Sequence, residues 1–282
     1  MVLKHIFDSN FKSQYIQYKG FLNTSDLLIK PISSSISGFE MDVNELSDIP
    51  LTEIPGNIVL GKRIEYLFHS YIEQSTRYEL IEKNIQVIRN KITIGELDFI
   101  LKDNEKNKVL HVELVYKFYL FVGGKEELSS WIGPNNNDSL VNKLDKLEAK
   151  QFPLLKNDRT IEILRNLDLN VDEIEQQVCF LGNLFLPYHL KKLSINSVNK
   201  SCVVGWWLNL KDFMSSDLDS SKFKFPKKQD WIVTPDDNIV NWLSFDEFVI
   251  QLDVFHKKKK SPLCWLYLGD GVYERFFIVW WS

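Results

Sequence analysis

The chain has 282 residues, 44% apolar and 26% charged, the mix of an ordinary globular protein, which excludes a disordered chain, a collagen-like fibre and a membrane bundle. Lys plus Arg number 34 and Asp plus Glu 38, so the net charge is −4, and a globally basic nucleic-acid wrapper is excluded while a local basic patch is not. Seven of the eight Trp lie beyond residue 200.

In chain order, residues 1–56 form a peripheral lead-in. Phe11 to Leu28 has helical character, Ser33-Ser34-Ser35 marks a loop, and Pro50 and Pro55 bracket a turn. Asn57 is an N-cap candidate for a helix reaching about Ser75, with Leu60, Ile64, Leu67, Phe68 and Tyr71 as its apolar stripe. Three strands follow over 78–89, 93–101 and 108–122. A loop carrying Trp131 leads to a helix expected over about 138–152 and stopped by Pro153. After an acidic helical stretch near 159–175, residues 177–186 form another strand. Three strands in succession imply an antiparallel start, and the helix crossover a parallel return. Beyond residue 200, strands are expected at 202–210 and 231–233. Ser244 to Glu247 is a capping box opening a helix to about Lys257, and a hairpin turns around Gly269-Asp270-Gly271. The fold class is α/β, with a core over 57–199 and a Trp-rich α+β region over 200–282 packed on it.

Three scattered Cys without a C-x-x-C pair indicate neither a disulfide framework nor zinc. No secretory pattern opens the chain and no run suits a bilayer span, so a cytoplasmic location is expected.

The chemistry-bearing signal is charge on strands that should be dry. Alternation places Glu96, Asp98 and Ile100 on one face of the second strand, and His111, Glu113, Val115 and Lys117 on one face of the third. Adjacent strands would bring Asp98 and Glu113 together, and two close carboxylates raise a pKa or recruit a divalent cation. Oxygen ligands without thiolates favour Mg, with Mn as a substitute. Glu65 interrupts an apolar line on its helix, and Gln151 ends the inward stripe Leu140, Leu144, Leu147 of the later one. Lys143, Lys146 and Lys150 form a neighbouring basic stripe, either a solvated face or a contact to a nucleic-acid backbone. His111 reads as a hydrogen-bonded core residue or as a ligand.

The element order, with Asp98 and then Glu113, resembles the PD-(D/E)XK nuclease superfamily. The blocks GKRIEYLFHSYI, GELDFIL, HVELVYKFYL, WIGPNNNDSLVNKLDKLEAKQFPL and VVGWWL are similar to a family of bacterial proteins, domain-of-unknown-function family 1853. The resemblance implies a restriction-endonuclease-like core hydrolysing phosphodiester bonds with Mg, DNA being expected over RNA. By position, Asp98 and Glu113 would hold the metal, while Lys117, Glu65 and Gln151 would serve the reaction. The superfamily lysine lies two residues after the second acid. Here that position is Val115, and Lys117 lies two residues further on, displaced by about 6.6 Å on an ideal strand. That departure leaves two readings open. One is a Mg-dependent nuclease, with Lys143, Lys146, Lys150 and Trp131 positioning the backbone. The other is a non-catalytic module of the same fold that binds nucleic acid or protein.

Overall fold

The computed structural model describes residues 9–29, 36–43, 52–124, 127–237 and 239–282. The expected Ser33–Ser35 loop and Pro50 lie outside them. The fold is mixed α/β with a large mixed sheet. In chain order the elements are α1 (Ser9–Leu22), β1 (Ile36–Gly38), α2 (Leu60–Gln74), β2 (Tyr78–Arg89), β3 (Ile92–Asp103), β4 (Lys108–Phe121), β5 (Trp131–Ile132) and α3 (Leu140–Lys146). They continue with α4 (Asp158–Arg165), β6 (Ile174–Pro187), β7 (Val203–Asn209), α5 (Leu210–Met214), β8 (Lys222–Lys224), α6 (Phe245–Lys257), β9 (Leu263–Gly269) and β10 (Val272–Val279). Among the described residues, no helix is long and apolar enough to cross a membrane.

The chain divides into two compact units that are not consecutive segments. The first comprises residues 1–18, 28–116 and 142–181, and the second 19–27, 117–141 and 182–282.

In the first unit, β2, β3 and β4 form the expected antiparallel meander. The β2–β3 turn is Asn90-Lys91, both with positive φ, the two-residue geometry that follows strand twist. At the β3–β4 turn Asp103 accepts from the N–H groups of Glu105 and Lys106 and from Arg77, which fixes a four-residue loop. Helix α2 packs Phe68 edge-on against Phe99 of β3. A second apolar cluster joins Ile85, Val87, Leu97 and Ile100 to Leu154, Leu155 and Leu164.

Those contacts correct the expected alternation. Leu97 and Ile100 share a cluster although three residues apart, and Phe99 meets α2. Glu96 also faces α2, since Asn84, with its amide nitrogen toward the acids, donates to Glu96 Oε1 at 3.1 Å and to Glu65 Oε2 at 3.0 Å. Opposite, Lys83 contacts His69 of α2 while Ile85 joins the other side. The pleat therefore changes phase at Asn84 and Asp98, and Glu96 and Ile100 do not share a face. The cause is Asn84, which holds φ at +54° inside a strand. Asn tolerates that left-handed region better than β-branched residues do.

Two helix boundaries also differ from expectation. Helix α2 starts at Leu60 with Val59 at the N-cap, and no side chain caps it. Arg63 occupies the preceding Pro55 and Gly56 carbonyls instead, which fixes the entry loop without Asn57. The later helix is not continuous to Phe152. Helix α3 passes into a π turn over Leu147–Gln151 and then a 3-10 turn over Phe152–Lys156. Pro153 opens that last turn rather than stopping a helix, because a first-turn residue needs no N–H donor.

In the second unit, β6 and β7 pair in parallel, as do β7 and β10, while β10, β9 and β8 run antiparallel. Gly205 of β7 is required there, since a Cβ would sit 2.1 Å from the Arg275 carbonyl oxygen. The β9–β10 turn is Asp270-Gly271, both with positive φ. The Ser244–Glu247 capping box is present at the start of α6. Residues 231–233 are a turn instead of a strand. They follow a short helical turn at Lys228–Asp230, where Val233 N–H bonds to the Asp230 carbonyl and so closes the backbone on itself. Phe213, Phe223, Phe248 and Phe276 centre this unit's core. None of the seven Trp beyond residue 200 is in the exposed class, so they are packing residues.

Candidate functional site

The site forms where the β3–β4 ladder ends. Their last register pair is Phe99 with Val112. One residue beyond, the Asp98 side chain takes over the pairing, and its Oδ2 accepts the Leu114 N–H at 2.9 Å. Glu113, the next residue on β4, is fully buried together with His111. A strand can carry such an acid only when its oxygens are satisfied. Glu113 Oε1 lies 3.0 Å from His111 Nε2, and Gln151 donates to Oε2.

The hydrogen-bond partners fix the orientation of these groups. Gln176 Nε2 donates to the Phe152 carbonyl at 2.8 Å, so its nitrogen is the end that also meets His111 Nδ1 at 3.1 Å. Nδ1 therefore accepts, and the ring proton sits on Nε2, from which it is donated to Glu113. Gln151 is fixed likewise, because Lys143 Nζ donates to its Oε1 at 2.7 Å and leaves Nε2 for the carboxylate. Two donor chains, Lys143 to Gln151 and Gln176 to His111, thus converge on the two oxygens of Glu113.

The surroundings of Asp98 act on its ionisation. Burial first, and then the charge of Glu113, push its carboxyl up to about 7. Glu65 adds to the rise, while the Leu114 N–H and the charge of Lys143 oppose it. Glu65 is paired with Lys62 and Asn84 at the helix side.

Of the residues expected from sequence, Asp98, Glu113 and Gln151 meet through these contacts, and Glu65 is close enough for its charge to be felt at Asp98. Lys117 is not among them. It belongs to the second unit, where its Nζ lies 2.5 Å from Asp138 Oδ2. Trp131 also belongs there and is fully buried against Phe121, 5.2 Å between ring centroids, so its ring offers no surface to a nucleic acid. Lys146 and Lys150 are exposed, whereas Lys143 turns inward. The π turn accounts for that difference. On a regular helix, eight residues leave Lys143 about 80° from Gln151, and a wider turn closes that gap. Sequence reasoning missed the inward role of Lys143, the supporting Gln176, and Asn84. The positive charge nine residues after Pro134 had no pattern to mark it, but an Asn inside a strand run was a readable sign of irregularity.

Among the described residues, no three His, Cys, Asp or Glu side chains are grouped to hold a metal ion. The oxygen donors here are the carboxylates of Asp98 and Glu113, and Mg is an ion that takes one or two carboxylates and keeps several waters. A cation held there would relieve the repulsion with Glu113 that helps raise the Asp98 carboxyl.

Comparison with curated proteins yields no match, and comparison with solved structures yields none. A family model, described as a domain of unknown function (DUF1853), matches residues 15–279.

Proposed function

Since the chain belongs to the DUF1853 family, whose description leaves its chemistry open, we propose from the site itself that the protein is a Mg-dependent nuclease on a PD-(D/E)XK-like core. Its substrate is the phosphodiester backbone of nucleic acid, DNA over RNA. The observation that carries this reading is half-buried Asp98 beside fully buried Glu113 at a ladder end, with Gln151 donating to Glu113 and Lys143 donating to Gln151.

Asp98 and Glu113 would hold Mg or Mn, with a backbone carbonyl near Leu114. When bound, the ion supplies a water of lowered pKa and a counter-charge for the phosphate. The remaining work falls to the chain. Gln151 and His111 each occupy one oxygen of Glu113 and so fix its plane. Lys143 brings the positive charge that the superfamily pattern places on the strand, and it arrives from α3. In this reading it steadies developing negative charge on the phosphate. Glu65, held by Lys62 and Asn84, contributes a further acid at the margin of the pair.

The test uses labelled single- and double-stranded DNA and RNA, with Mg, with Mn and with EDTA. Metal-dependent cleavage is expected, reduced at least about 100-fold in Asp98→Asn and in Glu113→Gln. Cleavage that persists in both variants rejects the assignment. The engagement of Lys117 by Asp138 favours a second reading, a binding module without turnover. Binding without cleavage in any metal would select it.

A further inference from the structure

The second unit gathers three lysines that the acid site does not use. Lys117 stands on β4, Lys228 opens a short helical turn, and Lys260 follows α6. Independent contacts bring them together. Lys228 Nζ lies 3.2 Å from the centroid of the Trp231 ring and 5.9 Å from that of Phe118, the neighbour of Lys117. Phe118 and Trp231 meet edge-on at 5.3 Å. The loop at 133–138 ties the other two. Its Asp138 binds Lys117, and its Asn135 Oδ1 accepts the N–H of Ser261, the residue after Lys260, at 2.9 Å. Ser261 adds a buried hydroxyl with no hydrogen-bond partner.

Holding like charges together is costly, and among the described residues Asp138 pairs with Lys117. Lys228 is an exposed residue whose ammonium packs on the Trp231 ring. Loss of surrounding water, and then the charges of Lys117 and Lys260, push its ammonium down to about 8. The Trp231 face holds that ammonium in place. Ammonium groups gathered in one region suit the negatively charged oxygens of a phosphate.

We propose that Lys117, Lys228 and Lys260 form a binding site for phosphate groups of a polynucleotide backbone. The phosphate chemistry rests on this cluster alone. The choice of a polynucleotide as its source rests on the nuclease reading above.

The test measures anisotropy of a fluorescein-labelled 20-base-pair DNA duplex with the full chain in EDTA, over a range of NaCl, and titrates inorganic pyrophosphate separately. Lys228→Gln and Lys260→Gln are expected to weaken duplex binding about 5- to 10-fold and to lower the salt slope by about one each. Lys228→Arg keeps the charge over Trp231 and is expected to bind as the wild type does, which separates lost charge from a damaged fold. Lys91→Gln, outside the cluster, is the unaltered control. Wild-type affinity and slope in both Gln variants overturn the site, as does failure of the wild type to bind duplex. Pyrophosphate binding without duplex binding overturns the polynucleotide source. Cleavage has no part in this readout. A protein that never cleaves but needs Lys228 to bind refutes the nuclease reading and keeps the site. One that cleaves and binds without Lys228 does the reverse.

Discussion

Asp98 is pushed toward its protonated form, by burial and by the charge of Glu113, where the β3–β4 strands stop pairing. The Asp98 carboxyl is raised to about 7 in the folded chain against an ordinary 3.8. The folded state therefore holds a proton that the unfolded state has released between those values. The sign follows from linkage: stability falls as pH climbs from about 4 to about 7, and the penalty is complete above 7. Asp98→Asn keeps an acceptor for the Leu114 N–H but removes the charge. In EDTA it is expected to stabilise the protein by roughly 2–4 kcal/mol at pH 8 and by almost nothing at pH 4. Urea unfolding at the two pH values checks this, and equal effects at both would refute it. The acids and Gln151 were legible because residue type and spacing alone mark a charge on a dry strand. Lys143 was not, and His111 was legible only as a hydrogen-bonded core residue, because their roles toward Glu113 depend on a helical irregularity and on which way a hydrogen bond is donated. Neither leaves a trace in periodicity.

At the scale of elements, the long strands of the first unit, the capping box and the hairpin at Gly269–Gly271 followed from composition and turn chemistry, whereas 231–233 did not form the expected strand. The faces of β2 and β3 did not follow either, since alternation is inherited from residue to residue and a single left-handed backbone reverses everything beyond it. Asn84 is that residue, with φ at +54°. Asn84→Gly and Asn84→Ala both lose the amide contacts to Glu65 and Glu96, so the difference between them isolates the backbone. Ala is usually the more stable of the two in regular structure. Here Ala is expected to be less stable than Gly by about 1 kcal/mol, measured by chemical unfolding. A more stable Ala variant would show that the strand tolerates the ordinary conformation.

For the whole molecule, the sequence suggested consecutive regions divided near residue 200. The compact units instead share the chain, which passes from one to the other at residues 18, 27, 116, 141 and 181. Linear composition cannot show such threading, because Trp content marks packing and not membership. A fragment of residues 200–282 lacks the β6 residues Leu184–Pro187 that pair with β7, and it lacks 117–141. Expressed alone, it is expected to show no cooperative thermal transition and no near-ultraviolet circular dichroism, whereas the full chain shows both. A cooperative fragment would mean that 200–282 folds by itself.

The π turn at Leu147–Gln151 has a consequence for how this site can change by insertion and deletion. A π turn is what an α-helix becomes when it accepts one extra residue without shifting its ends. Deleting one residue from this stretch would restore a regular helix at little cost to the fold. Lys143 and Gln151 would then stand seven residues apart on a regular helix, within about 20° of one line. Lys143, Gln151 and Glu113 would stay in line, whereas one further residue taken up as regular helix would turn Lys143 away from Gln151. The site is thus written partly in the length of a helix, where a substitution scan would not find it.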